Sequence, residues 1–188
     1  SISAHAKGGT TLILLEAPEN IQELALGRDG RLSGKNLLAC LSEELQQLGI
    51  NIVNVGLVTS PLLYFAAKQL DSKSGVMITG SHNPKNYNGF KTVINDAPIS
   101  GTEILSFTSH KLSAVTQPGK EIIKTDLMIE YVNEVVVQAE NNPKKMKVVI
   151  DCGNGAAGEI APMLMRALGH EVIELFCEID GNFPNHHP

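Results

Sequence analysis

The chain has 188 residues, of which 43% are hydrophobic and 19% charged, and its formal net charge is -5 at pH 7. These values are typical of a soluble globular protein. The negative charge, without a long basic run, excludes nucleic acid as the main partner, and no apolar run approaches the roughly 20 residues that span a bilayer. The cysteines Cys40, Cys152 and Cys177 are odd in number and far apart in sequence. They predict neither a disulfide framework nor a zinc site, and they favour a reducing, cytoplasmic setting.

The two ends of the chain suggest that it is part of a longer protein. It begins at Ser1 without an initiator methionine, and it stops at His187-Pro188 inside a loop-like run. We therefore expect further domains of the same polypeptide to be its partners.

The first 140 residues alternate between strand and helix patterns. Short strands are predicted at residues 12–15, 24–26, 50–55, 76–79 and 90–94. Leucines at positions 38, 41, 45 and 48 share one helical face, between Ser33 as N-cap and Gly49 as stop. Further helices are predicted at residues 60–70, 100–115 and 126–140, the first with Pro61 at its first helical position. The alternation predicts an α/β fold with helices on both faces of a mixed sheet.

The pattern restarts after a polar linker at residues 141–145. A strand is predicted at residues 147–151, a helix at 156–168 and a second strand at 171–177. We place a domain boundary near residue 142, which gives one domain at 1–142 and the start of a second, similar α/β domain at 143–188. The second unit is too small to be complete.

Gly153–Gly158 form a G-x-G-x-x-G motif that follows a strand and opens a helix. This context is typical of dinucleotide binding, and Glu174, 19 residues beyond Gly155, would then reach a ribose. The alternative is a tight turn whose small residues permit close packing. The motif alone leaves both interpretations open.

The most distinctive segment is the serine loop, residues 79–91, with the sequence Thr-Gly-Ser-His-Asn-Pro-Lys-Asn-Tyr-Asn-Gly-Phe-Lys. It follows a buried strand and concentrates turn-forming residues around a hydroxyl, an imidazole and an ammonium. A hydrolase nucleophile would require G-x-S-x-G, whereas Asn83 stands where the second glycine belongs. The pattern therefore argues against acyl transfer, and a Ser-His pair in a turn is also common in purely structural loops.

The whole serine loop resembles the phosphoserine loop of the α-D-phosphohexomutases, and most closely the bacterial phosphomannomutase/phosphoglucomutase branch. Three further runs occur in the order expected of that family, so the resemblance covers roughly residues 24 to 188. They are residues 27–34 (GRDGRLSG), 148–155 (VVIDCGNG) and 180–188 (DGNFPNHHP). In this family the glycine motif is the first turn of the second domain.

The resemblance implies a four-domain enzyme whose substrate is a hexose phosphate, with Ser81 as a phosphoryl carrier. Ser81 would phosphorylate a mannose or glucose phosphate, and the bisphosphorylated sugar would then return its other phosphate. Lys91 would carry the proton to and from the sugar hydroxyl. His82 would either bond the phosphoryl oxygens or shape the turn. Phosphoryl transfer depends mainly on positioning and charge stabilisation, which suits these residue types.

Other residues are assigned supporting roles by the same resemblance. Asn83 would brace the loop, and Arg28 and Arg31 would supply positive field near the phosphoserine, although arginines in such a turn are as often surface charges. The implied cofactors are Mg²⁺ and a hexose 1,6-bisphosphate activator. The phosphoryl group on Ser81 would be one Mg²⁺ ligand, and the family's Asp-Gly-Asp-Gly-Asp-Arg metal loop is absent from the sequence. We therefore expect no tight metal binding and no activity from this chain alone.

Two alternatives remain at the level of function. The first is a phosphoglucosamine mutase, because the resemblance places the residues that select the sugar outside this chain. The second is a non-catalytic unit that binds a dinucleotide or sugar phosphate at Gly153–Gly158. His186 and His187 are expected to belong to a loop of the second domain, not to a metal site.

Overall fold

A computed structural model describes residues 21–106, 117–139 and 144–187. Within these residues the strands are β1 (Glu23–Arg28), β2 (Asn51–Leu57), β3 (Gly75–Ile78), β4 (Phe90–Ile94), β5 (Ala97–Pro98), β6 (Glu121–Ile123), β7 (Lys147–Asp151) and β8 (Glu171–Leu175). The helices are α1 (Gly34–Gln47), α2 (Ser60–Gln69), α3 (Gly101–Ser106), α4 (Leu127–Gln138) and α5 (Ala157–Ala167). Every described helix is too short or too polar to cross a bilayer.

Six strands form a mixed sheet in the order β5-β4-β3-β1-β2-β6. The pairs β1–β2, β1–β3 and β2–β6 are parallel, whereas β4 returns antiparallel to β3 and β5 pairs antiparallel with β4. The chain leaves β2 and crosses β1 to reach β3. The carboxyl ends of β1, β2 and β3 therefore meet at one edge of the sheet, where ligands bind in open α/β folds.

Helices cover both faces of this sheet, as the sequence predicts. Alternate residues of β1 point to opposite faces, because successive strand side chains alternate. Leu24 and Leu26 pack with α1, and Ala25 packs in a second cluster with α2 and α4. The helical face predicted for α1 is confirmed at its three buried leucines, Leu38, Leu41 and Leu45.

The second unit consists of the parallel pair β7–β8 and α5. Helix α5 packs against α4, and its Ile160 joins the cluster that contains α2. The second unit therefore extends the core on one face of the large sheet.

Several predicted boundaries differ from the structure. Ser33 precedes α1, but its backbone is already helical and its side chain makes no cap hydrogen bond; its Oγ instead accepts a hydrogen bond from Asn88 Nδ2. Strands β5 and β6 were not predicted, because they are two and three exposed residues long and carry no alternating pattern. The predicted strand at 12–15, the second half of the predicted helix 100–115 and the boundary near 142 lie outside the described residues.

Candidate active site

A cleft of about 360 Å³ opens at the carboxyl ends of β1, β2 and β3. We call it the serine cleft; its lining includes residues 29–31, 58–60, Thr79, Ser81, His82, Lys91, 151–153, 155–157, Phe183, His186 and His187. Two hydrogen bonds hold the three strand ends together. Asp29 N donates to Ile78 O and Val58 N donates to Arg28 O, both at 2.9 Å. The cleft therefore has a rigid floor formed by the first unit and a wall formed by the second.

Ser81 adopts a left-handed backbone conformation, with φ at 52°. This conformation costs a residue with a side chain about 1–3 kcal/mol and persists only where surrounding contacts enforce it. Thr79 provides one such contact, because its Oγ1 accepts from Ser81 N at 2.9 Å and donates to Asp29 Oδ2 at 2.7 Å. The serine at the cleft is thus held in a strained and specific orientation.

Arg31 lies behind the serine loop and is buried, with 1% of its surface exposed. Its Nε donates to Asp29 Oδ2 at 3.1 Å. The other four N–H groups donate to loop carbonyls. These are the carbonyls of Pro84 at 2.6 Å, Tyr87 at 3.1 Å, Ser81 at 2.7 Å and Asn83 at 2.7 Å. All five donors of the guanidinium therefore bond to protein oxygens.

Two neighbours complete the loop. A Cβ at Gly80 would collide with the Arg31 guanidinium and lie 2.7 Å from the Tyr87 carbonyl oxygen, so only glycine permits this approach. Asn83 folds back onto Gly80, whose carbonyl accepts from Asn83 N at 3.0 Å and from Asn83 Nδ2 at 2.8 Å. The loop thus has a single well-defined shape.

The structure brings four of the predicted site residues to the serine cleft: Arg31, Ser81, His82 and Lys91. Lys91 is the second residue of β4 and lies opposite Met77 in the antiparallel register. Arg28 lies elsewhere. It donates to the backbone oxygen of Asp29 at 2.9 Å and lines a separate cleft beside α1.

The wall from the second unit rests on the turn that contains Arg31. The Phe183 ring lies 5.5 Å from Arg31 Cζ, within the range of a cation–π contact. A Cβ at Gly181 would lie 2.9 Å from Leu32 N, and one at Gly30 would lie 2.8 Å from Ile179 Cγ2. The two units therefore touch through glycines directly behind the serine loop.

Asp151 and His186 form a pair on this wall, with His186 Nε2 2.9 Å from Asp151 Oδ1. The hydrogen bond from His186, followed by one from Gly153 N, lowers the pKa of Asp151. The same contact with Asp151, followed by the His187 carbonyl, raises the pKa of His186. No sequence pattern indicates this pair, because 35 residues separate its members.

The glycine motif is filled by the protein's own atoms. A Cβ at Gly153, whose φ is 51°, would meet the His186 ring, and one at Gly158 would meet the Cys177 carbonyl. Asn154 binds the same segment through Nδ2 to Glu178 O at 2.8 Å. This geometry favours the close-packing interpretation of Gly153–Gly158 over the dinucleotide one.

Cys152 and Cys177 meet at the base of the same wall. Cys177 Sγ donates to Cys152 Sγ at 3.3 Å, and all three cysteines are free thiols. Burial, followed by the contact with Cys177, raises the pKa of Cys152 to about 12. The sequence does not indicate this contact, because 25 residues separate the two cysteines.

Two helices begin at the serine cleft. Thr59 and Ser60 stand at the start of α2, and Ala156 and Ala157 at the start of α5. Helix N-termini carry partial positive charge and unpaired N–H groups, which favour anions. The field in the cleft therefore suits a phosphorylated ligand.

A Mg²⁺ ion requires about six oxygen ligands. The described residues contain no group of three or more His, Cys, Asp or Glu side chains that could hold a metal. Of the carboxylates at the cleft, Asp29 is engaged by Arg31 and Thr79, and Asp151 by His186. These residues therefore do not form a Mg²⁺ site by themselves.

Comparison with protein families matches two consecutive domain models. Residues 5–112 match the α/β/α domain I of phosphoglucomutase/phosphomannomutase, and residues 128–188 match domain II. The chain belongs to this family. The family match begins at residue 5, whereas the resemblance seen in the sequence begins near Leu24. Residues 5–23 contain none of the motifs that carried that resemblance.

Relatives within the phosphoglucomutase/phosphomannomutase family support the assignment. A phosphomannomutase/phosphoglucomutase of Pseudomonas putida is 50% identical over 167 residues, covering 88% of this chain and 36% of the relative. A phosphoglucomutase of Neisseria gonorrhoeae is 42% identical over 183 residues, covering 96% of this chain and 40% of the relative. The chain thus spans roughly two fifths of the length of these relatives.

A solved structure from Burkholderia thailandensis, a phosphoglucomutase/phosphomannomutase family protein, has the same fold. It superposes with a TM-score of 0.84 at 36% identity, over 100% of this chain and 44% of that one. The α/β fold predicted from the sequence is confirmed by this likeness and by the two domain matches.

Proposed function

We propose that this chain is the phosphoryl-carrying part of a phosphohexomutase that interconverts the 1- and 6-phosphates of mannose or glucose. The observation that supports the proposal is the strained, tightly held Ser81, which opens into one cleft with His82 and Lys91. A backbone outlier held this firmly at a cleft is typical of a functional residue.

In the proposed reaction, Ser81 enters as a phosphoserine. The bond between Ser81 Oγ and phosphorus breaks as a sugar hydroxyl oxygen forms its own bond to that phosphorus, which gives a bisphosphorylated sugar. Lys91 relays the proton of the attacking hydroxyl to Ser81 Oγ. The second half-reaction reverses these steps with the other phosphate, so the serine ends as it began.

The remaining cleft residues act on charge and position. A phosphoserine carries about -1.5 to -2 charges at neutral pH. His82, next to Ser81 in the cleft, would donate to its phosphoryl oxygens, and the starts of α2 and α5 add favourable field. Asn83 maintains the loop through its two bonds to the Gly80 carbonyl.

We infer that the intact protein requires Mg²⁺ and a hexose 1,6-bisphosphate activator. Among the residues of this chain, Ser81 would contribute one phosphoryl oxygen to the ion. The other ligands and the sugar contacts would come from the further domains that the longer relatives contain. A cytoplasmic location is part of the same proposal, supported by the three free thiols.

The test is the intact mass of the full-length protein after incubation with glucose 1,6-bisphosphate. We expect a gain of one phosphoryl group, and we expect Ser81→Ala to lose both this gain and the turnover of glucose, mannose and glucosamine 1-phosphates. Ser72→Ala, in the turn before β3 and away from the cleft, is the matched control and should behave as wild type. Turnover without phosphorylation, or an active Ser81→Ala protein, would refute the proposal.

The three sugars in the assay also separate the sugar alternatives. A preference for glucosamine 1-phosphate would favour the phosphoglucosamine mutase alternative. Calorimetric titration with NAD tests the non-catalytic alternative at Gly153–Gly158, where we expect no binding because His186 and the Cys177 carbonyl fill the turn.

A further inference from the structure

The guanidinium of Arg31 bonds entirely to groups within the protein. Its exposed fraction is 1%, and each of its five N–H donors bonds to a carbonyl or to Asp29. No donor remains for a phosphoryl group or a sugar. A direct role for Arg31 in binding substrate would require breaking bonds that shape the loop.

The four bonded carbonyls also determine which way the loop peptides face. In a trans peptide the C=O and N–H groups point in opposite directions, and the described residues contain no cis peptide bond. Because the Ser81 carbonyl points at the guanidinium, the N–H of His82 points away from it. Among the described residues nothing accepts a hydrogen bond from this N–H, so it remains available to an anion.

Arg31 also joins the two units. Its Cζ lies over the Phe183 ring of the second unit, 5.5 Å from the ring centroid, while its Nη2 group donates to the Ser81 and Asn83 carbonyls of the serine loop in the first unit. Gly181 packs within contact distance of the Arg31 backbone, with a Cβ there only 3.2 Å from Arg31 Cα. A displacement of the second unit is therefore transmitted to the residue that orients Ser81.

We propose that Arg31 is a positioning residue that orients Ser81 for phosphoryl transfer by fixing the serine-loop carbonyls, and that Phe183 couples this orientation to the second unit. The inference rests on the proposed function. It predicts that position 31 requires the planar, five-donor guanidinium of arginine and not positive charge alone. A lysine ammonium has three donors and cannot bond four carbonyls and a carboxylate in one plane.

The test uses the full-length protein with Arg31→Lys. Misplacing a reacting group by about 1 Å can cost roughly 100-fold in rate. We expect kcat to fall at least about tenfold, with KM for the hexose 1-phosphate within about threefold of wild type. We also expect faster hydrogen exchange at residues 82–88. Arg166→Lys, the same change at the exposed ion pair with Glu174, is the control and should alter neither kcat nor hydrogen exchange in the serine loop.

Phe183→Leu provides a second, milder variant, because it retains apolar contact and removes the aromatic face. We expect a fall in kcat of about two- to fivefold, with faster exchange in the serine loop, since a cation–π contact of this kind is modest. If Arg31→Lys does not fold, Phe183→Leu decides the question.

The outcomes separate this inference from the proposed function. Wild-type kcat and unchanged loop exchange in folded Arg31→Lys would overturn the positioning role even if the wild type is an active mutase. Unchanged kcat and exchange in Phe183→Leu would overturn the coupling, and would overturn the whole inference if Arg31→Lys is unfolded. A wild-type protein without turnover or phosphorylation would instead refute the proposed function. Hydrogen exchange of the serine loop in Arg31→Lys would still test whether Arg31 fixes the loop carbonyls.

Discussion

The left-handed backbone of Ser81 places demands on each of its neighbours. Thr79 must carry a hydroxyl, because its Oγ1 accepts from Ser81 N and donates to Asp29. Gly80 must lack a side chain, because the Arg31 guanidinium fills that space. Arg31 must reach four carbonyls at once. Thr79, Gly80 and Arg31 are residue types that are common in loops, but here each is required by a specific contact.

The Cys152 thiol gives a residue-scale prediction. Its pKa of about 12, raised mainly by burial, leaves little thiolate near neutral pH, and the thiolate is the reactive form. We expect iodoacetamide to modify Cys152 at least about tenfold more slowly than the exposed Cys40 at about pH 8. Peptide mass spectrometry over a time course measures both rates.

The denatured protein is the control for this labelling experiment, since both cysteines should then react at similar rates. Equal rates in the folded protein would show that neither burial nor the contact with Cys177 protects the Cys152 thiol.

At the scale of elements, α1 depends on its buried stripe for stability. Leu38, Leu41 and Leu45 pack into the cluster that also contains Leu24 and Leu26 of β1. The helix has no side-chain cap, no acidic residue in its first turn and no basic residue in its last. Packing therefore supplies most of the energy that keeps α1 helical.

Leu45→Ala tests this dependence. Leu45 is fully buried, so the substitution removes buried methyl groups and leaves a cavity. We expect the free energy of unfolding to fall by about 2–5 kcal/mol, measured by urea denaturation. Gln47→Ala, at an exposed position in the last turn of the same helix, should change it by less than about 0.5 kcal/mol. Equal effects of the two substitutions would mean that the stripe does not support the helix.

Periodicity explains which elements the sequence predicted. Strands 90–94 and 147–151 match β4 and β7, and the stripe of α1 was visible because its leucines repeat at helical spacing. Strands β5 and β6 are too short and too exposed for any repeat, and β6 is defined by its parallel pairing with β2. Pairing with a distant strand is a tertiary property that local patterns do not contain.

The site shows the same division. The motif at 79–91 identified the serine loop, because the loop is contiguous in sequence. The contacts that shape it come from Arg31, about 50 residues earlier, and Phe183, about 100 residues later. The Asp151–His186 pair and the Cys152–Cys177 contact were likewise invisible, since each joins residues that only the fold brings together.

At the scale of the whole molecule, residues 179–186 link the two units. Phe183 and Gly181 rest on the Arg31 turn, while His186 bonds Asp151 at the end of β7 and packs edge-on against Phe176. The segment is therefore anchored at both ends, one in each unit. Its position depends on a pair of titratable groups.

That dependence predicts a pH window. The folded pKa of His186 is raised, so its stabilising contribution is complete below its ordinary value of 6.5 and is lost as pH rises through the raised pKa. The folded pKa of Asp151 is lowered, so its contribution is present above 3.8 and is lost as pH falls through the lowered pKa. The pair therefore stabilises the segment most between about pH 4 and pH 6.5.

NMR titration of the His186 ring measures the effect directly. We expect His186 to titrate above 6.5 in the wild type and at a lower pH in Asp151→Asn. Asp71→Asn, at an exposed position outside the serine cleft, should leave the His186 titration unchanged. A wild-type value at or below 6.5 would show that the ion pair does not form in solution.

The glycine contacts between the units also constrain how such proteins can be recombined. Gly181 fits against the backbone of residues 30–32, and Gly30 fits against the Ile179 side chain, in both cases without space for a methyl group, so the two surfaces are closely matched in shape. A chimaera that joins the first domain of one relative to the second domain of another must therefore exchange the 29–32 turn and the 179–183 segment as one piece. A crossover between them would pair Arg31 with a residue that was not selected beside it in place of Phe183, even though neither domain core is disturbed.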